Sequence, residues 1–324
     1  MLAGCSSPDT PELEALQELD EALTAAVDSD PESDKPTAAP QPNELEPEHG
    51  LVLRAGVGEI VIGQVVDGVV VERRALVVVP QDSHTGGDLE SAAATLPVLV
   101  ALHGNGGRPE GMLRDFQPFV DQGRFIALIP EGLERSWNLG REASTADDVA
   151  FVELLLDQLD GASTDVGGLD LDRVYAFGYS NGAGLVNQLI AHTDRFRAVA
   201  AAASGLTYDL LPTEPVGPVS FLSLHGTNDS VVPYNGGVGV AGHDFLPVED
   251  SAALWADRFG CPATSDASRT ADGNIRLEWA PCDNGHRVVH YGVEGADHGL
   301  PPTIEGGLLD LVIGFFETAG ELAS

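Results

Sequence analysis

The chain has 324 residues, of which 43% are hydrophobic, and its formal net charge at pH 7 is −35. This length accommodates one large α/β domain with an ample core, together with a tail. A surface with such an excess of acidic groups repels nucleic acid and the surface of anionic membranes, which favours a neutral or cationic partner and argues against nucleic acid.

Residues 1–50 are predicted to be a disordered tether, because they are rich in Pro, Asp, Glu, Ser and Thr and contain few large apolar residues. Their start, Leu2-Ala3-Gly4-Cys5, resembles the bacterial lipobox, whose cysteine is lipidated after a signal peptide is removed. The charged start and apolar stretch of a signal peptide are missing before Cys5, so either the true start lies upstream or the match is accidental. We expect an extracellular or periplasmic lipoprotein, attached to a bacterial membrane only through Cys5.

The folded domain is expected over residues 51–324. Two predicted strands, 59–66 and 69–79, flank Asp67-Gly68, and this pattern predicts an N-terminal β-hairpin. Apolar strands then alternate with helices, and because the strands are apolar on both faces we expect a mostly parallel sheet with helices on both sides. The later predicted strands are 96–102, 125–130, 173–179, 198–203, 219–224 and 288–293, and the predicted helices include 147–159 and 304–318.

The stretch 173–192 reads as a buried strand, a sharp bend at a serine and a helix. Its motif, Gly178-Tyr179-Ser180-Asn181-Gly182, has the spacing of a nucleophile elbow. The motif alone is weak support in a chain with 38 glycines, but the apolar run before it and the helical pattern after it supply the required context. The sequence therefore predicts Ser180 as a nucleophile at a helix N-terminus.

Two further residues complete a triad in the chain order Ser, Asp, His, which is typical of α/β-hydrolases. Asp229 follows the strand 219–224, and His298 follows the strand 288–293, so both are expected at the carboxyl edge of the sheet. His298 would accept the proton of Ser180, and Asp229 would orient the imidazole, with no metal or cofactor. The rival acids are Asp148, Asp244 and Asp297, of which Asp297 should point away from its neighbour His298.

Backbone N–H groups of Asn181 and of the loop 103–107, Asn105 in particular, are predicted to bind the oxyanion. His103 and His225 each end a strand beside a glycine and are predicted to pack the loops, with His103 at the substrate-binding site. The other histidines have no partner motif and are assigned to the surface or the scaffold; they are His49, His84, His192, His243, His286 and His290.

Six ordered motifs resemble the bacterial polyhydroxybutyrate depolymerase and feruloyl esterase family of α/β-hydrolases, over residues 52–320. The resemblance implies the α/β-hydrolase fold, the triad above, Trp137 near the substrate cleft, and a disulfide between Cys261 and Cys282. The motifs are Leu102-His103-Gly104, Arg135-Ser136-Trp137-Asn138, Asp147-Asp148-Val149-Ala150-Phe151, the elbow 178–182, the stretch from His225-Gly226-Thr227-Asn228-Asp229 to Tyr234, and the stretch from Trp255 to Cys261.

Pairing of Cys261 with Cys282 also fits an exported protein, whereas a cytosolic protein would keep both as free thiols. The chain departs from the family after His298, where Gly299-Leu300-Pro301 replaces the common Thr-Trp-Pro, so an aromatic wall of the substrate site is expected to be missing. We expect no polymer-binding domain after residue 324, and therefore soluble or oligomeric esters rather than a polymer granule as substrate.

These features together predict an exported serine esterase that acts on neutral carboxylic esters. The candidate substrates are acetyl or feruloyl groups on plant polysaccharide and hydroxyalkanoate oligomers. One alternative is a peptidase of the same fold, which shares the triad chemistry but usually carries a larger extra domain. Another is a surface-anchored binding protein on an inactive hydrolase scaffold, which would be recognised by a missing triad member.

Overall fold

The computed structural model describes residues 51–81, 95–164, 168–213 and 217–321. The predicted tether and the predicted lipidation site Cys5 lie outside these residues, as do His49 and His84. No helix within the described ranges is long and apolar enough to cross a membrane.

Strands and helices alternate along most of the described chain, as the apolar runs predict. The strands are β1 Val52–Leu53, β2 Gly56–Val66, β3 Val69–Val79, β4 Thr95–Leu102, β5 Ile126–Pro130, β6 Ser163–Thr164, β7 Gly168–Tyr179, β8 Ala198–Ala202, β9 Ser220–Gly226, β10 Gly237–Val238, β11 Asp244–Phe245, β12 Asp266–Arg269, β13 Ile275–Trp279 and β14 Val288–Val293. The helices are α1 Pro109–Asp121, α2 Asp148–Leu159, α3 Asn181–His192, α4 Val248–Arg258 and α5 Leu308–Glu321.

The main sheet is parallel in its centre and antiparallel at both ends. Its ten described strands follow the order β12-β13-β14-β9-β8-β7-β4-β5-β3-β2. Neighbours from β14 to β5 pair in parallel, while the hairpins β2–β3 and β12–β13 attach to the two ends in antiparallel orientation. The predicted mostly parallel sheet is confirmed.

Helices cover both faces of this sheet. Consecutive residues of β4, such as Val98 and Leu99, have no exposed surface although their side chains point to opposite faces. On one face, α1 and α5 contribute Phe116 and Phe316 to a continuous core with the central strands. On the other face, α3 packs against β7 and against α2, and Trp255 of α4 donates a hydrogen bond to Asn187 of α3 at 2.8 Å.

The N-terminal hairpin has the predicted turn. Val66 lies opposite Val69, and both intervening residues have positive φ, 50° at Asp67 and 79° at Gly68. This is the left-handed pair that a two-residue hairpin turn of type I′ requires.

Two elements at the other end of the chain differ from the prediction. The closing helix begins at Leu308 instead of 304, because a 3-10 turn at 304–306 is followed by a break at Gly307, whose φ is 161°. The hairpin β12–β13 was not predicted, since its first strand is exposed throughout and its second is only partly buried. Such strands lack the apolar run that identifies the central ones.

A buried ion pair joins the N-terminal hairpin to α2. Arg73 of β3 lies with its Nη2 atom 2.7 Å from Oδ1 of Asp148, and both side chains are 1% exposed. Arg73 also donates to Gln64 at 2.6 Å and lies over the ring of Phe151. The second oxygen of Asp148 accepts the backbone N–H of Asn138 at 2.7 Å. Asp148, which the sequence offered as an alternative triad acid, therefore binds Arg73 and the loop that follows β5 instead.

Replacing Asp148 by Asn should lower the free energy of unfolding by about 3–5 kcal/mol, because Arg73 is left as an uncompensated buried charge. Urea denaturation followed by circular dichroism measures the change. The matched control is Glu294→Gln at the exposed pair with Arg269, whose side chains are 55% and 60% exposed, and this variant should cost less than about 1 kcal/mol. Similar costs for the two variants would contradict the structural role of the buried pair.

Candidate active site

Ser180 stands between β7 and α3 in a strained conformation. Its φ is 53° and its ψ is −119°, a left-handed φ that costs a non-glycine residue about 1–3 kcal/mol. A Cβ atom on Gly182 would lie 2.5 Å from the carbonyl oxygen of Leu102 and 2.6 Å from that of His103, and one on Gly178 would collide with the Gly182 carbonyl. The two glycines of the motif are thus required by close backbone contacts.

The structure brings Ser180, Asp229 and His298 together at the carboxyl ends of β7, β9 and β14. His298 Nε2 lies 2.9 Å from Ser180 Oγ, and His298 Nδ1 lies 2.8 Å from Asp229 Oδ2. The imidazole side chain is 19% exposed while the Asp229 side chain is fully buried. This arrangement can move a proton from the hydroxyl to the imidazole and can stabilise the resulting cation with the carboxylate.

Hydrogen bonds keep Asp229 ionised. Its Oδ1 atom accepts the backbone N–H groups of Val231 and Val232, each at 2.8 Å. Burial of the carboxyl opposes ionisation, but hydrogen bonds from His225, from His298 and from these amides outweigh burial and hold the pKa of Asp229 well below its usual value.

The loop that carries His298 is fastened to its surroundings on two sides. The Tyr179 hydroxyl donates to the His298 carbonyl oxygen at 2.6 Å. Asp297 Oδ1 accepts the backbone N–H groups of Ser230 and His298, both at 2.8 Å. Asp297 therefore points away from the imidazole, as expected, and ties the histidine loop to the loop of Asp229.

The candidate oxyanion donors lie beside Ser180. Asn181 is the first residue of α3, so its backbone N–H has no acceptor within the helix. In the facing loop the amides of Gly106 and Gly107 are bonded to backbone oxygens at 2.7 and 2.9 Å, and a Cβ atom added to Gly104 would lie 3.4 Å from Cβ of Ser180. The amides of Gly104 and Asn105 are then the two candidate oxyanion donors in this loop. The oxyanion role of Asn105 and Asn181 stays a prediction.

Trp137 and His103, which were expected at the substrate site, are both buried beneath the candidate oxyanion loop. Their exposed fractions are 0% and 1%, and Trp137 Nε1 donates to the His103 carbonyl oxygen at 2.7 Å. His103 Nε2 accepts the Gly132 N–H at 3.1 Å, its Nδ1 lies 2.8 Å from the Gly104 oxygen, and burial lowers its pKa. Both buried side chains hydrogen-bond to the backbone of the candidate oxyanion loop and hold it in place.

A second polar group beside the nucleophile was not predicted. Glu142 Oε1 accepts hydrogen bonds from His243 Nε2 at 2.9 Å and from the Asn181 side chain at 3.3 Å. Burial favours protonation of Glu142, but the bonds from His243 and from the amides of Leu139 and Arg141 lower its pKa. Nothing in the spacing of Glu142 and His243 indicates this contact, because they lie about a hundred residues apart.

The remaining predicted acid and histidines fall into two groups. Asp244 is exposed on β11, and the two ring nitrogens of His298 contact Asp229 and Ser180 instead. His192 is exposed at the end of α3. His286 and His290 are buried in the scaffold and hydrogen-bonded to Ser220 and Ser223 at 3.1 and 3.0 Å.

Known proteins with similar sequences are esterases. The chain is 32% identical to NocK of Nocardia uniformis subsp. tsuyamanensis, a candidate esterase, over 63% of this chain and 65% of that protein. It is 26% identical to feruloyl esterase B of Piromyces equi over 62% of this chain and 39% of that protein. The chain thus covers less than two thirds of the length of either relative. No protein-family model matches it.

A solved structure with the same fold is the acetyl xylan esterase from Aspergillus awamori. The TM-score is 0.53 at 12% sequence identity, and the match covers 80% of this chain and 99% of that one. The chain has the α/β-hydrolase fold and is similar in sequence to feruloyl esterases. As the family resemblance implies, Cys261 and Cys282 are disulfide-bonded, and the bridge joins the end of α4 to the segment between β13 and β14.

Replacing Gly226 by Ala should separate the loops of Asp229 and His298, because the new methyl group would collide with the carbonyl oxygens of Ala296 and Asp297. We expect loss of the downfield proton NMR signal of the His298 Nδ1–H bonded to Asp229, and an unfolding free energy lower by about 1–3 kcal/mol.

The control is Gly314→Ala in α5, where an added Cβ meets no atom within 4 Å. It should keep the downfield signal and leave stability unchanged or higher by about 0.5–1 kcal/mol. An unaltered downfield signal in Gly226→Ala would contradict the close contact of the two loops.

Proposed function

We propose that this chain is a serine esterase that hydrolyses neutral carboxylic esters through an acyl-enzyme. The observation that carries the proposal is the continuous hydrogen-bonded chain Ser180–His298–Asp229, with distances of 2.9 and 2.8 Å. It lies at a sheet edge where Ser180 and His298 keep partial exposure, so a substrate carbonyl can approach the hydroxyl.

In the proposed acylation step, Ser180 Oγ attacks the carbonyl carbon of the ester while His298 Nε2 takes the hydroxyl proton. The imidazolium is stabilised by Asp229, and the negative oxygen of the tetrahedral intermediate is bound by the Asn181 amide and by an amide of the loop 103–107. The imidazolium then gives its proton to the departing alcohol. A water molecule, deprotonated by the same imidazole, attacks the acyl-enzyme and releases the acid and free Ser180.

Charge and exposed apolar surface support a neutral ester with an aryl or short acyl group. The net charge of −35 disfavours an anionic substrate. On the loops that follow β8 and β9, at the same sheet edge as Ser180, three apolar side chains are 50–76% exposed, namely Tyr208, Val238 and Val240. Together with relatives named as feruloyl esterases, this favours feruloyl or acetyl esters of polysaccharide, and hydroxyalkanoate oligomers are the second class to test.

Export is part of the proposal. The bond between Cys261 and Cys282 is of the kind that persists in an oxidising compartment. We therefore propose an extracellular or periplasmic enzyme, and lipidation at Cys5 would tether it to a membrane.

Ser180→Ala should abolish ester hydrolysis without unfolding the protein, because it removes the only atom that forms the acyl bond. The measurement is a panel of p-nitrophenyl acetate, methyl ferulate, acetylated xylan, hydroxybutyrate oligomers and a peptide amide, at low and high salt. Ser268→Ala on the exposed strand β12 is the matched control and should keep full activity. Turnover by Ser180→Ala at the wild-type rate would contradict the proposal, and hydrolysis of the peptide amide alone would identify a peptidase.

The lowered pKa of Asp229 leads to a pH prediction. A carboxyl whose pKa is lowered in the folded state contributes stability that is lost only as the pH falls towards that pKa. Asp229 should therefore stay ionised across the range in which imidazoles titrate, about pH 5–8. The acid limb of log kcat/KM should have a slope of one, because Asp229 takes up no proton in this range. A slope of two would contradict this assignment, and the exposed-residue variant His192→Gln should leave the profile unchanged.

A further inference from the structure

We propose that His225 is a positioning residue, whose imidazole fixes the carboxylate of Asp229 in the orientation that receives His298. This inference rests on the proposed function and concerns the same site. His225 Nε2 lies 3.1 Å from Asp229 Oδ2, and both side chains are fully buried.

The protonation pattern of His225 follows from its contacts. Its Nε2 atom is also 2.9 Å from the carbonyl oxygen of Val232, and since the carboxylate and the carbonyl are both acceptors, Nε2 must carry a hydrogen. Its Nδ1 atom is buried without a hydrogen-bond partner among the described residues. A second proton there would have no acceptor, so the ring is the neutral Nε2–H tautomer.

A neutral donor suits the task at this position. A cation would cancel the charge with which Asp229 stabilises the imidazolium of His298, whereas a neutral N–H orients the carboxylate and leaves its charge in place. His225 and His298 both donate to Oδ2, and two backbone amides hold Oδ1. The carboxylate therefore cannot rotate about its Cβ–Cγ bond without breaking several hydrogen bonds.

His225 is itself held rigidly. It lies on β9 between two paired strands, opposite Gly292 of β14, and the ring of Tyr234 packs edge-on against it at 5.9 Å. The Tyr234 hydroxyl is fixed in turn by Glu249 at 2.8 Å and by His290 at 2.9 Å. Groups placed in this way supply a preorganised donor to the residue that touches His298.

The test compares two amide substitutions that differ by one methylene group. The Gln amide of His225→Gln can place an N–H near the former Nε2, whereas the Asn amide of His225→Asn is too short to reach Asp229. The two readouts are the rate at which a fluorophosphonate labels Ser180, and kcat and KM for p-nitrophenyl acetate. We expect His225→Asn to lower the labelling rate and kcat by about 100-fold with KM little changed, because the catalytic groups are misplaced. His225→Gln should stay within about 10-fold of the wild type.

A double-mutant cycle separates positioning from a merely structural role. In the Asp229→Ala background, adding His225→Asn should change the labelling rate by less than about 3-fold, because the residue through which His225 acts is gone. His286→Asn, a buried histidine that does not contact Asp229, is the control and should leave the labelling rate unchanged in both backgrounds. Near-UV circular dichroism normalises each rate to the folded fraction.

The outcomes distinguish this inference from the proposed function. Labelling of wild-type Ser180 without turnover of any ester would overturn the esterase proposal, and the labelling rates would still decide the role of His225. Equal losses from His225→Asn with and without Asp229, or a wild-type rate in the folded His225→Asn variant, would overturn the inference. Failure of folded wild-type protein to react with the probe would overturn both.

Discussion

The site depends on a chain reversal at Ser180 that leaves no room for side chains at Gly178 and Gly182. A left-handed serine between β7 and α3 places its hydroxyl outside the sheet and its following amide at a free helix N-terminus. The cost of that conformation is met by the packing of Gly182 against the backbone of Leu102 and His103. The same backbone contact brings the candidate oxyanion loop beside the nucleophile.

Buried polar contacts then hold the loops around this reversal. His103 and Trp137 support the candidate oxyanion loop, and the pair Arg73–Asp148 fixes the segment that contains Trp137 to the N-terminal hairpin. Most polar atoms of these groups are hydrogen-bonded within the described part of the chain, the exception being Nε of Arg73, and these bonds restrict the movement of the loops. The geometry of the exposed edge thus depends on polar groups that are themselves buried.

Much of this arrangement could be predicted from local patterns in the sequence. Apolar runs located the central strands, and glycine spacing with the order of Ser180, Asp229 and His298 indicated the triad that the structure brings together. The depth of Trp137 and the contact of His225 with Asp229 could not be predicted, because they depend on which loops fold over one another. The exposed hairpin β12–β13 carried no apolar signal at all.

The central claim is that Ser180 forms a covalent acyl intermediate, and trapping that intermediate tests it most directly. Wild-type protein mixed with p-nitrophenyl acetate and quenched in acid within milliseconds should carry one acetyl group, which peptide mapping should place on Ser180. An acetyl group on another residue, or turnover with no adduct at any time point, would contradict the account.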